Sequence, residues 1–371
     1  MLIQAIFSTN YQNTIIAKDS SITLRVSRSG EQKIFNAGTR PNKIWIDNML
    51  QTSVSNSYNL NPTNIIKLKW TNYIENCDYM FQDCNSIIEM NFTNFDATRC
   101  FTFSYMFIDC HSLTSLDLSG FITSNRLRFM ASLFNNCYSL KSVNLSTFET
   151  SQATNFGHMF CNCKSLTSIY FSNNKIENAE FMDNMFIGCE KLTSLNLSNF
   201  ITSNTVNIEN LFSGCKSLKL LDISNFDATN VPNINNVDNI FTNCDNLVFI
   251  NIYNINSNRN LQNKFFDGIQ KNKLIICIDN DKTQLIRDLL EHNNCIFISC
   301  DESLINYEYK LSTENGCLTR KCTLVNYKYE FQKSCYEECP DNSIEREDVI
   351  ELEGKYFCKP ICNGTYRFEI V

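Results

Sequence analysis

Nineteen cysteines, three histidines and scattered carboxylates are the residues of this 371-residue chain that could do chemistry. A thiol can be a nucleophile, a metal ligand or half of a disulfide, and spacing decides among these. Seven thiols fall at nearly constant intervals: Cys84, Cys110, Cys137, Cys163, Cys189, Cys215 and Cys244, in steps of 26, 27, 26, 26, 26 and 29 residues. Each closes the same phrase, Met80-Phe81-x-x-Cys84 in the first copy and Ile240-Phe241-x-x-Cys244 in the last. Set among Leu, Phe and Met, they read as small buried hydrophobes forming an internal ladder. Neighbouring rungs come within disulfide reach, but parallel side chains on adjacent coils rarely give the required Cβ geometry.

A second seven, Cys300, Cys317, Cys322, Cys335, Cys339, Cys358 and Cys362, crowd the last 72 residues. That density belongs to disulfide-rich modules. The close pairs Cys317-x4-Cys322, Cys335-x3-Cys339 and Cys358-x3-Cys362 could hold zinc, but no histidine accompanies them, so disulfides are the expectation, with connectivity open. The histidines His111, His158 and His292 are isolated, and His158-x2-Cys161-x-Cys163 includes a ladder cysteine. No nucleophile motif, phosphate loop or dinucleotide glycine pattern occurs. No catalytic residue, metal or cofactor is therefore expected, and the chain reads as non-enzymatic. Sequons occur at Asn91, Asn144, Asn196 and Asn363; the first three arise from the repeat, leaving Asn363 as the glycosylation candidate.

Elements that position these residues follow from the period, which marks stacked coils. Three, six and eight residues after the ladder cysteines stand apolar columns, such as Leu113, Leu116 and Leu118 in the second copy, and eleven after stands Phe in most copies. The x-L-x-L-x segment alternates, so it forms a short strand with one face buried. The residues between the buried ones project outward and form the candidate binding face: Asn91, Asp117, Asn144, Tyr170, Asn196, Asp222 and Asn251. A turn of helix is one option for the return arc. A single repeat cannot bury its own apolar face, so stability belongs to the stack.

Four segments follow. Residues 1–76 predict an N-terminal β-rich cap, with strands at Ser21 to Val26, Lys33 to Phe35, Lys43 to Ile46 and Ile65 to Trp70. Residues 77–258 predict the solenoid of seven coils. Residues 259–300 predict a C-terminal cap of strand, helix and strand, with the helix from Asp281 to His292. Residues 301–371 predict a cysteine-rich module, cut short after Cys362.

The net charge of −7 and the absence of a basic run disfavour nucleic acid and anionic membrane as partners. No apolar run reaches the length of a membrane helix, and the opening seven residues are too short for a signal-peptide core.

The stretches Cys110-His-Ser-Leu113-Thr-Ser-Leu116-Asp-Leu118-Ser-Gly-Phe121 and Cys189-Glu-Lys-Leu192-Thr-Ser-Leu195-Asn-Leu197-Ser-Asn-Phe200 resemble the BspA-like leucine-rich-repeat surface proteins, whose repeat is 26 residues long. The cysteine-rich tail resembles protist members. That resemblance implies a leucine-rich-repeat solenoid and adhesion at a cell surface. The expectation is a secreted or surface-exposed protein that binds a protein or glycan ligand through its solenoid face. The alternative is an intracellular scaffold or signalling adaptor.

Overall fold

The computed structural model describes residues 19–36, 38–171, 175–227, 231, 238–252, 269 and 274, and beyond these only the backbone of nine short strands. The chain divides into two compact units, Met1–Cys189 and Glu190–Val371.

The first unit begins with β1 (Ser20–Val26), β2 (Gly30–Lys33), β3 (Lys43–Ile46), β4 (Met49–Leu50), β5 (Ser57–Leu60) and β6 (Ile66–Trp70). Between β3 and β4 the two-residue turn Asp47-Asn48 has φ of 49° and 66°, the left-handed pair that a tight hairpin demands. The coils then supply β7 (Ile87–Asp96), β8 (Ser115–Asp117), β9 (Phe121–Ile122), β10 (Ser142–Leu145) and β11 (Ser168–Phe171). One sheet runs β4-β3-β6-β1-β7-β8. β1 lies antiparallel on β7, so the N-terminal strands add directly to the first coil and cover its open edge. From β7 onward pairing is parallel, with Glu89 opposite Ser115 and Ser142 opposite Ser168. Both steps equal the sequence period.

The second unit carries a parallel sheet of β12 (Ser194–Asn196), β13 (Leu220–Asp222), β14 (Phe249–Asn251), β15 (Ile275–Ile278) and β16 (Ile296–Ser299). Phe249 pairs with Ile275, a step of 26 residues, so β15 is a further rung although no Met-Phe-x-x-Cys phrase precedes it. Beyond it run β17 (Tyr309–Ser312), β18 (Cys317–Arg320), β19 (Tyr329–Phe331), β20 (Ser334–Tyr336), β21 (Ser343–Glu345), β22 (Cys358–Pro360) and β23 (Arg367–Glu369). These pair antiparallel, as β18-β17-β23 and as β19-β20 and β21-β22.

Inside the first unit the phenylalanines of successive closing phrases stack. Phe81, Phe107, Phe134, Phe160 and Phe186 follow one another at ring separations of 5.6, 5.4, 5.4 and 5.6 Å. Such offset contacts add a modest gain beyond area burial. A second row, Phe95, Phe121 and Phe148, stacks at 4.9 and 5.1 Å.

The return arc is where the expected architecture fails. Among the described residues there is no helix. Each arc is a chain of tight turns with a left-handed residue five positions before the ladder cysteine and another immediately before it. Tyr79 and Asp83, Tyr105 and Asp109, Ser132 and Asn136, and His158 and Asn162 all have φ between 54° and 61°. Alternate N–H groups then point along the stack. Those of Tyr105, Phe107 and Asp109 reach the carbonyls of Ala131, Leu133 and Asn135 at 2.9, 3.0 and 2.9 Å. A helix would spend those donors on carbonyls four residues back. The expected leucine-rich-repeat fold is therefore corrected: both units are β solenoids, with hydrogen bonds between coils on the arc as well as on the strands. The expected cap changes likewise, because its two strands continue the parallel sheet as β15 and β16. The helix expected from Asp281 to His292 lies outside the described residues.

Candidate ligand-binding face

Five of the ladder thiols tie their coil to the preceding one. Cys84, Cys110, Cys137, Cys163, Cys189, Cys215 and Cys244 are all buried. The thiols of Cys110, Cys137, Cys163 and Cys189 donate to the carbonyls of Phe81, Phe107, Phe134 and Phe160 in the preceding coil at 3.1 to 3.2 Å. In the second unit Cys244 does the same to Phe212 at 3.1 Å. Burial pushes the Cys110 and Cys244 thiols up to about 12, and the others that shift also rise, so these sulfurs stay protonated donors.

The strand row splits into parts with different tasks. In the first unit Asn91 donates from Nδ2 to Asp117 Oδ2 at 3.2 Å, and in the second Asn251 donates to Asp222 Oδ2 at 3.1 Å. The side-chain oxygens of Asp117, Asn144, Asn196 and Asp222 accept the N–H two residues on, from Ser119, Ser146, Ser198 and Ser224, at 2.9 to 3.0 Å. These are Asx-turns that end each strand. Asn144, Tyr170 and Asn196 are exposed, Tyr170 at 57%. Asn251 is only 2% exposed, which corrects its outward placement. All three residues of β14 are buried, so that rung has no open face, and the amide is satisfied by Asp222.

The turn arc of the first unit presents a denser surface. Tyr79 and Tyr105, both left-handed, stack at 4.7 Å with planes 1° apart. Asn136 donates to Asp109 at 2.8 Å and Asn162 to Asn136 at 3.0 Å, making a carboxylate–amide ladder one position before the thiols. One position after them, His111 stacks on Tyr138 at 4.7 Å and the Lys164 ammonium lies 5.4 Å from the same ring. Thr102, Phe129, Asn155 and Phe181 are joined by successive parallel bridges eight positions before the thiols, and Phe129 and Phe181 are exposed. Rings, amides and charges thus share one arc in fixed register.

One cluster on this arc carries a strong electrostatic signature. His158 Nε2 lies 3.4 Å from Asp183 Oδ2, and Asn184 Nδ2 lies 3.4 Å from the same nitrogen. The hydrogen bond to Asp183, and a second to the Cys161 side chain, raise the imidazole to about 9. Burial raises the Asp183 carboxyl, but the hydrogen bonds from His158 and Asn184 outweigh it and leave the group below the usual range. An imidazolium–carboxylate pair therefore sits on the arc at neutral pH. Among the described residues no group of three or more His, Cys, Asp and Glu side chains is arranged to hold a metal ion.

The arc was legible only in hindsight. The position before each thiol holds Asp83, Asp109, Asn136, Asn162, Gly188, Gly214 and Asn243, the residue types that tolerate positive φ. Cys317, Cys335 and Cys358 lie on β18, β20 and β22. Cys300, Cys322, Cys339, Cys362 and Asn363 lie outside the described residues.

Compared with known families, the chain matches the one described as "Mycoplasma protein of unknown function, DUF285" over residues 48–174 and 170–276. No curated protein matches it. That family match, together with the lack of helix among the described residues, overturns the resemblance to BspA-like leucine-rich-repeat surface proteins.

Proposed function

We propose that this chain, which belongs to the DUF285 family, is a non-enzymatic binding protein that engages a protein or glycan ligand outside the cell through the turn arc of its first unit. The observation that carries the reading is the set of exposed rings, Tyr79, Phe129, Tyr138 and Phe181, held in register by hydrogen bonds between coils. Exposed aromatics on a rigid backbone lose little entropy when a ligand covers them, and such residues are enriched at binding hot spots. The strand row supports recognition less well, because its side-chain oxygens are committed to Asx-turns. The acidic balance of the chain favours ligands other than nucleic acid. Among the described residues no helix is long and apolar enough to cross a membrane.

The test compares two surface variants with the wild type on cell layers and on glycan arrays. Tyr79→Ala combined with Phe129→Ala and Tyr138→Ala removes three exposed rings; Asn144→Ala with Tyr170→Ala alters the strand row. The reading expects the first to weaken attachment by about tenfold or more and the second to leave it near the wild type. Retained attachment in the triple variant, with its fold intact by circular dichroism, overturns the assignment to the arc. Array signal identifies a glycan ligand, and binding abolished by protease treatment of the cells identifies a protein.

A further inference from the structure

Three cysteines of the first unit stand outside the ladder. Cys161 is partly exposed beside His158, whereas Cys77 and Cys100 are buried together. Their sulfurs lie 3.1 Å apart, and Cys100 Sγ is also 3.1 Å from the Ile74 carbonyl. We propose that Cys77 and Cys100 form a disulfide, a covalent clasp where the chain enters its stack of coils.

Geometry singles out this pair. The thiols of Cys110, Cys137 and Cys163 point at phenylalanine carbonyls of the preceding coil, so those sulfurs are aimed at oxygen. Here sulfur faces sulfur, and closing to a bond of about 2.05 Å requires a movement of roughly 1 Å. The two residues are 23 apart in sequence and the Cys77 N–H already bonds the Thr102 carbonyl at 3.3 Å, so the backbones are held together before any bond forms. Oxidation replaces the thiol–thiol contact and removes the hydrogen now shared with Ile74.

The chemistry is thiol–disulfide exchange. A low-molecular-weight disulfide accepts attack from one cysteine as thiolate, forming a mixed disulfide and releasing one small thiol. The second cysteine then attacks the protein sulfur of that intermediate, the Cys77–Cys100 bond forms, and the second small thiol leaves. Two protein thiols are oxidised and one small disulfide is reduced to two thiols. Both sulfurs are buried in the folded chain, and burial raises the Cys77 thiol further, so exchange belongs to folding, when the thiols are reachable.

The full chain, denatured and reduced, would be refolded in a buffer of reduced and oxidised glutathione. Remaining thiols would be blocked before digestion and mass spectrometry. The expected result is a linked peptide containing Cys77 and Cys100, two hydrogens lighter than the separate peptides, while Cys110, Cys137 and Cys163 carry the blocking label. Blocked Cys77 and Cys100, or either one joined to another partner, overturns the proposal. Comparing oxidised and reduced wild-type protein in urea reads the effect of the bond without relying on a substituted chain. Oxidation is expected to raise the midpoint, and Cys77→Ser is expected to shrink that difference. An unchanged midpoint with the bond formed refutes the clasp. This inference stands apart from the ligand reading, since binding can fail in one assay while the cross-link forms in the other.

Discussion

At the residue scale the sulfur and imidazole groups give the sharpest expectations. The Phe107 carbonyl accepts both the Cys110 N–H at 3.2 Å and the Cys137 thiol at 3.2 Å. Cys137→Val keeps an apolar filling but removes the second donor, and should lower the unfolding free energy by about 1 to 3 kcal/mol in urea titrations. Equal stability would show that the thiol hydrogen bond contributes nothing. Cys161 is the one described thiol that is not buried, so brief alkylation of the native protein should label it ahead of the ladder. His158 gives a pH signature. Its folded-state value is raised to about 9 by Asp183 and Cys161, above its ordinary value of about 6.5. The pair therefore stabilises the fold fully below about pH 6.5 and loses that contribution as pH rises through 9. The side chain is 45% exposed, so screening keeps the effect below about 1 kcal/mol. NMR titration of the imidazole should show the shift, and Asp183→Asn should return it towards about 6.5.

At the scale of elements, the arc depends on residues that accept left-handed backbone. Gly188 has φ of 72°, and a Cβ placed there would meet Asn162 Oδ1 at 2.6 Å. Gly188→Ala should cost about 1 to 2 kcal/mol for the conformation alone, with further loss as Asn162 moves. Gly188→Asn should cost less, because Asn tolerates this conformation and its amide can join the column of Asn136 and Asn162. Thermal melts of the two variants test the ordering; an Ala variant as stable as the Asn variant would contradict the account. The strands themselves were plain in the sequence, since Val143 and Leu145 alternate with exposed Ser142 and Asn144. The arc was not. Period alone cannot distinguish a helical return from a chain of turns when both bury Met and Phe at similar intervals, and the deciding fact is which neighbour receives each N–H.

Across the whole molecule, the interchangeable unit is one coil. Parallel pairing at a 26-residue step places Asn144 opposite Tyr170 and Ser142 opposite Ser168. Deleting residues 138–163, a complete period, should leave the first unit folded with its columns in register. Deleting only 151–163 shifts strands against arcs and should unfold it. Circular dichroism and limited proteolysis separate these outcomes. By itself the sequence determined the repeat, the phase of the strands and the burial of the ladder columns, because a 26-residue pattern of large apolar side chains is stable only when copies stack. It also marked the strand row as polar. Tertiary structure alone decided that the arcs hold no helix among the described residues, that β15 is a further rung, that Asn251 is covered, and that Cys77 meets Cys100. Each depends on contacts between coils, where a hydrogen-bond donor or a sulfur finds its partner some twenty or more residues away, beyond the reach of any local pattern.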